Sequence, residues 1–149
     1  MLHIVDTALT EVVGHLGKRG RVGLLATAAT VESGIYGRRA TGSSLTKDLE
    51  WVTPSAGELE EWITPAIAAV KAANTGVAAP LLIRAAHALV ERGAGCIVMG
   101  CTEIPLALFQ QHVAVPLVDA TDTLARATVE WAMSAPRPQG CGGQLKGDL

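Results

Sequence analysis

The stretch that most constrains this chain is Gly95 to Leu106, where an apolar run from Cys96 to Met99 lies between glycines and is followed by Gly100-Cys101-Thr102-Glu103-Ile104-Pro105-Leu106. The run is too short for a helix and contains β-branched residues, so it reads as a buried strand of a parallel sheet. Cys101 then stands at the carboxyl end of that strand, the edge at which open α/β sheets bind ligands. Pro105 suits a first helical turn, which predicts a helix from about Glu103 to Gln111 whose free N–H groups favour an anion. A thiol in that setting is expected to have a lowered pKa and to supply thiolate for proton abstraction or nucleophilic attack.

The remaining pattern alternates short apolar runs with helical spacing, which gives an α/β fold with an open parallel sheet flanked by helices. Residues 2–5 read as a strand, with Asp6 capping a helix to about Gly17. Arg21 to Ala26 is a buried strand. Thr27 to Gly34 reads as a loop of small residues leading into a short helix from Ile35 to Ala40. Its hydroxyls have two readings: Ser33 and the threonines satisfy local backbone groups, or Thr27 and Thr30 hold a ligand carboxylate. Leu49 to Thr53 is a further strand.

Ser55-Ala-Gly-Glu58 fits a capping box for a helix carrying Leu59, Trp62, Ile63, Ile67 and Val70 inward, with Pro65 expected to kink it or to divide it into two shorter helices. Trp62 reads as core. Lys71, in the last turn, reads as a solvated complement to the helix dipole. Pro80 is expected to open the next helix and Gly93 to stop it. His87 lies off that helix's apolar stripe and has no partner at metal spacing. A strand over residues 113–118 and a helix capped by Asp119, facing inward through Leu124, Ala127 and Trp131, complete the pattern, with Thr128 at the border of that face. The Gly- and Pro-rich residues 136–149 are expected to form a flexible tail in which Cys141 is incidental.

Composition narrows the function. Net charge is −2 with both signs interspersed, so there is no electrostatic footprint for nucleic acid or an anionic membrane. No apolar run approaches the roughly 20 residues of a membrane span, and no basic leader precedes a hydrophobic stretch, so the cytoplasm is expected. Three cysteines match neither a zinc site nor a disulfide framework and suit a reducing compartment. A small-molecule ligand is the expectation that remains.

Three segments carry a resemblance. Val22 to Tyr36, with its Ala-Thr-x-x-Thr loop, then Gly100-Cys101-Thr102-Glu103-Ile104-Pro105-Leu106, then Val115 to Asp119 resemble, in that order, second-half signatures of the aspartate/glutamate racemase family, over about residues 2 to 134. The resemblance implies two pseudo-symmetric α/β lobes around a cleft, and isomerisation by one cysteine from each lobe without pyridoxal phosphate or any other cofactor. One thiolate would remove the Cα proton and the opposite thiol would reprotonate the other face. Carried over by position, Cys101 is the second-lobe cysteine, Thr27, Thr30 and Thr102 contact substrate, and Lys71 holds a substrate carboxylate. No metal is implied.

The first lobe's glycine-rich turn, arginine and Cys-Asn-Thr motif have no counterpart before Leu2. Residues 1–20 therefore look like the end of that lobe, residues 21–118 like the second lobe, and residues 119–135 like a terminal helix. Cys96, five residues before Cys101 in the same strand, reads as a buried hydrophobe. The expectation is a racemase of small acidic amino acids with half of a two-base site, active through a homodimer or through pairing with a first lobe. Two other readings stay open: a non-catalytic binding or interaction domain, and a relative of hydantoin racemases or maleate isomerases.

Overall fold

The computed structural model describes residues 1–134. Four strands, β1 (Arg19–Leu25), β2 (Asp48–Val52), β3 (Cys96–Met99) and β4 (Leu117–Asp119), form one parallel sheet in the order β2-β1-β3-β4. In β3 the side chains alternate as a strand buried on both faces requires. Cys96 and Val98 join the core beneath α1 (Ile4–Leu16) and α3 (Ile35–Thr41), while Ile97 and Met99 join the core beneath α5 (Thr64–Lys71) and α6 (Thr75–Glu91). The second layer sits close to the sheet because Gly23 has no side chain: a Cβ there would stand 3.0 Å from Ile97 Cγ1 and 3.1 Å from Leu89 Cδ1.

Several helix boundaries differ from those expected. Residues 2–5 form no strand. His3 accepts the Val5 N–H on Nδ1 at 3.1 Å and caps α1, which begins at Ile4. Asp6 therefore lies inside the first turn, where it accepts two hydrogen bonds from Arg39, at 2.7 and 2.6 Å, and ties α1 to α3. The guanidinium holds the Asp6 carboxyl below its ordinary pKa. A carboxylate stabilised in this way supports the fold above the unfolded-state pKa, and the support is lost as pH falls through the folded-state value. Asp6→Asn should thus lower the urea midpoint slightly at pH 7, and the difference from the parent should vanish on acidification.

The Thr27–Gly34 stretch is not a loop but a helix, α2 (Ala28–Ser33). Thr27 caps it, and Gly34 at φ 62° makes the turn into α3. The Ser55–Glu58 capping box is present and opens α4 (Ala56–Glu58). A π-helical stretch, Leu59–Ile63, runs directly from α4 into α5. Pro65 has no N–H for the carbonyl four residues earlier, and the ladder widens just ahead of it instead of breaking.

Pro80 does not open α6. Asn74 caps that helix by accepting the Val77 N–H, and Pro80 lies inside it. The carbonyl deprived of a partner belongs to Gly76, which is exposed to solvent. Trp62 is partly buried against the core beneath α6, under the Arg84 guanidinium. The expected helix over 103–111 is replaced by two 3₁₀ turns, Ile104–Leu106 and Gln110–His112. Between them Ala107 and Leu108 are buried. The Gln110 amide bonds the carbonyls of Val113 and Val115 and the N–H of Leu117, so side-chain bonds hold the segment where a helical ladder was expected.

The final helix α7 (Ala120–Ser134) is capped by Asp119, as expected, but its inward face is different. Ala120 and Thr123 are the buried residues. Leu124 and Ala127 are half-buried, Thr128 is exposed and Trp131 is 65% exposed. α7 rests on α1 through Thr7–Thr123 and Glu11–Arg126, contacts between small and polar groups that do not call on the tryptophan. The expectations for residues 136–149, Cys141 included, lie outside the described residues. No helix among the described residues is long and apolar enough to cross a membrane.

Candidate active site

The strand order brings the exits of β1 and β3 side by side. The Gly100 N–H donates to the Leu25 carbonyl at 2.8 Å, so Ala26-Thr27 and Gly100-Cys101 leave the sheet together. Glycine is needed at position 100 for space: a Cβ would stand 3.0 Å from Tyr36 Oη and 3.3 Å from Ala26 Cβ. Burial pushes the Tyr36 phenol up to about 12, so it stays protonated beside this edge.

Cys101 is half-buried, and its Sγ donates to Glu103 Oε2 at 2.8 Å. Thr102 Oγ1 donates to the same oxygen at 3.0 Å. Lys71, the last residue of α5, puts Nζ 3.7 Å from Glu103 Oε1. The fold thus joins three of the expected site residues, Cys101, Thr102 and Lys71, through a fourth that the sequence reading did not single out. Its signal was its place two residues after the cysteine. Thr27 and Thr30, both half-buried, form a separate pair at the neighbouring exit, with their hydroxyls 3.0 Å apart and the Thr30 N–H donating to Thr27 Oγ1.

The electrostatics overturn the expectation of a depressed thiol pKa. Burial pushes Cys101 up, and its hydrogen bond to Glu103 and that residue's negative charge push the same way. The Glu103 backbone N–H and the Lys71 charge oppose them and are outweighed. Hydrogen bonds from Cys101 and Thr102 hold the Glu103 carboxyl down. The proton therefore rests on sulfur and the negative charge on the carboxylate. The helix expected to oppose these effects is absent, since a three-residue 3₁₀ turn supplies little N-terminal field.

Glu103→Gln removes that charge and should lower the Cys101 pKa, so that iodoacetamide alkylates the Cys101 peptide faster at mildly alkaline pH. An unchanged rate would mean that burial alone sets the thiol. Cys96 offers no alternative thiol, being fully buried in the α1-side core with its pKa pushed up to about 11 by desolvation.

Other features lie apart from this cluster. A cavity of about 570 Å³ between α1 and α3 is lined by residues such as Leu9, Val13 and Leu45, and its arginines are already engaged, Arg39 by Asp6 and Arg38 by the Ser33 carbonyl. His87 Nε2 lies 3.0 Å from the His112 carbonyl oxygen and serves as a tie between α6 and the Gln110–His112 turn.

Fold and site together define a class: an open parallel α/β lobe with a thiol, a carboxylate, a hydroxyl and an ammonium gathered at the carboxyl edge of the sheet. The chain belongs to the Asp/Glu/hydantoin racemase family, whose sequence profile matches residues 1–128. An uncharacterised protein encoded in the pnlA 3′ region of Pectobacterium carotovorum subsp. carotovorum is 35% identical over 133 residues, covering 88% of this chain and 84% of that protein. The broad specificity amino-acid racemase RacX of Bacillus subtilis (strain 168) is 26% identical over 131 residues, covering 87% of this chain and 53% of the racemase. The crystal structure of an aspartate racemase homologue from Pyrococcus horikoshii OT3 superposes with a TM-score of 0.76 at 26% identity, covering 89% of this chain and 56% of that one. The chain spans about half the length of the solved structures it matches.

Proposed function

We propose that this chain carries one of the two acid–base groups of a cofactor-independent racemase of small acidic amino acids, with Cys101 as the group that moves the Cα proton. The observation that carries the reading is the Cys101 thiol at the sheet edge, hydrogen-bonded to a carboxylate and close to the Lys71 ammonium. Lys71, with the hydroxyls of Thr102, Thr27 and Thr30, suits a substrate carboxylate, and positive charge there would stabilise the enolate-like anion that forms when the Cα proton leaves.

Cys101 acts in two directions. As a thiol it gives its proton to the Cα carbanion and becomes thiolate. As thiolate it takes the Cα proton and becomes thiol. Inversion needs a second acid–base group on the opposite face of the substrate. Among the described residues Cys101 is the one thiol not fully buried, so the second group is assigned to a surface outside these residues, a second copy of this chain or a first lobe. Free thiols at positions 96 and 101 suit the cytoplasm.

The resting proton on Cys101 favours a second reading as well, a binding domain that keeps the carboxylate site without the chemistry. Cα deuterium incorporation into both enantiomers of aspartate and glutamate in heavy water separates the two. Exchange into at least one enantiomer is expected. Binding of these amino acids with no exchange into any of them overturns the catalytic reading in favour of the second.

A further inference from the structure

The three polar groups that Glu103 engages, the Cys101 thiol, the Thr102 hydroxyl and the Lys71 ammonium, are three of the five that the proposed function assigns to a substrate. Glu103 Oε2 accepts from Cys101 Sγ at 2.8 Å and from Thr102 Oγ1 at 3.0 Å, while Oε1 faces Lys71 Nζ at 3.7 Å. From this geometry we infer that the Glu103 carboxylate occupies the seat of a ligand carboxylate, an internal stand-in that an acidic ligand must displace. The inference rests on the proposed function, because it takes Cys101, Thr102 and Lys71 as the ligand-binding groups.

The chemistry of the seat is specific to a carboxylate. Two neutral donors converge on one oxygen and a cation faces the other, which suits a planar anion with two acceptor atoms. Two like charges cannot share these donors, because a second carboxylate beside Glu103 would meet repulsion and find the donors taken. The ligand therefore binds only to the fraction of molecules in which Glu103 has swung away, and its apparent affinity is lowered by that fraction. Displacement is feasible for three reasons. Lys71 is 65% exposed, so its pairing with Glu103 is a weak surface attraction. The Glu103 side chain retains 22% exposure. Glu103 also lies before the Ile104–Leu106 turn, outside any regular helix that would fix its direction. When Glu103 leaves, Lys71 is freed for the incoming carboxylate, and the thiol loses the acceptor that kept its proton in place.

The test reads protection of Cys101 from iodoacetamide in the full chain, followed by mass spectrometry of the Cys101 peptide. The probes are L-aspartate, D-aspartate and succinate, a dicarboxylate without an amine and hence without the racemisable centre. The half-protecting concentration does not depend on how fast the unprotected thiol reacts, so variants with different thiol pKa values can be compared. In Glu103→Ala it is expected to fall about tenfold, equivalent to removing about 1.4 kcal/mol of competition. Glu103→Gln, nearly isosteric but uncharged, is expected to lie between Ala and the parent, and it carries the test if the alanine chain does not fold. Lys71→Met should abolish protection in every background.

A half-protecting concentration that stays the same or rises in both Glu103 variants, with the parent still protected, overturns the stand-in and leaves the carboxylate site intact. No protection of any chain by any of the three probes overturns the site reading itself, and the stand-in with it.

Discussion

Cys101→Ala should cut the rate of Cα deuterium incorporation by about 10²–10⁴-fold, the range that a positioned acid–base group supplies. The size follows from the absence of a substitute within reach among the described residues. Cys96 is fully buried in the opposite core with its pKa pushed up to about 11, and Tyr36, at about 12, is a far weaker acid and stays protonated. The change should leave the fold in place, since Cys101 is half-buried and contributes no backbone bond that alanine would lose. Cys96→Ala is the complementary control, expected to cost some stability through lost packing and to leave exchange unaltered. Exchange that persists in Cys101→Ala at the parent rate would remove Cys101 from the chemistry, whatever its position.

Leu89→Ala is expected to destabilise the chain by about 2–5 kcal/mol, the cost of emptying a buried leucine site that cannot fully collapse. Leu89 is fully buried in α6, and its Cδ1 lies in the space above Gly23, between the helix and the β1–β3 pair. Both walls of the resulting cavity belong to regular structure held by its own backbone bonds, so neither can move in to fill it. The core offers little compensation elsewhere. It is aliphatic, the single phenylalanine is 46% exposed, and large aromatic contacts are few. Since small domains are stable by only about 5–15 kcal/mol, the loss would be a large share of the whole. Urea unfolding should show the fall in midpoint with the slope retained.

Much of the fold was legible because buried parallel strands leave an unambiguous trace. The runs at Arg21–Ala26 and Cys96–Met99 are short and largely apolar, the second bounded by glycines, and strands form there, over Arg19–Leu25 and Cys96–Met99. The capping box at Ser55–Glu58 and the cap at Asp119 could be read because the side chains that act there act on their own neighbours. What failed depended on distant partners. Leu2 to Asp6 and Val115 to Asp119 are similar in sequence, yet the first leads into a helix and the second contains a strand. The difference is that Leu117–Asp119 finds Ile97–Met99 alongside, while residues 2–5 find no strand and His3 caps the helix instead.

The site was legible in part for the same reason. The place of Cys101 at a strand exit is a local property of β3 and its flanking glycine. The nearness of Lys71 depends on how α5 ends relative to a segment some thirty residues further along, which spacing does not reveal and which only the family resemblance suggested. The state of the thiol was not legible because it depends on burial and on the direction in which the Glu103 side chain turns, neither of which spacing reveals.

The pairing of Lys71 with Glu103 also shapes how a ligand arrives. With its cation matched by a neighbouring carboxylate, the Lys71–Glu103 pair itself contributes little net charge to draw in an approaching anion. Capture then follows the frequency with which Glu103 departs, so the observed rate should level off with ligand concentration. A site built this way answers to a molecule close enough to take the place of one side chain.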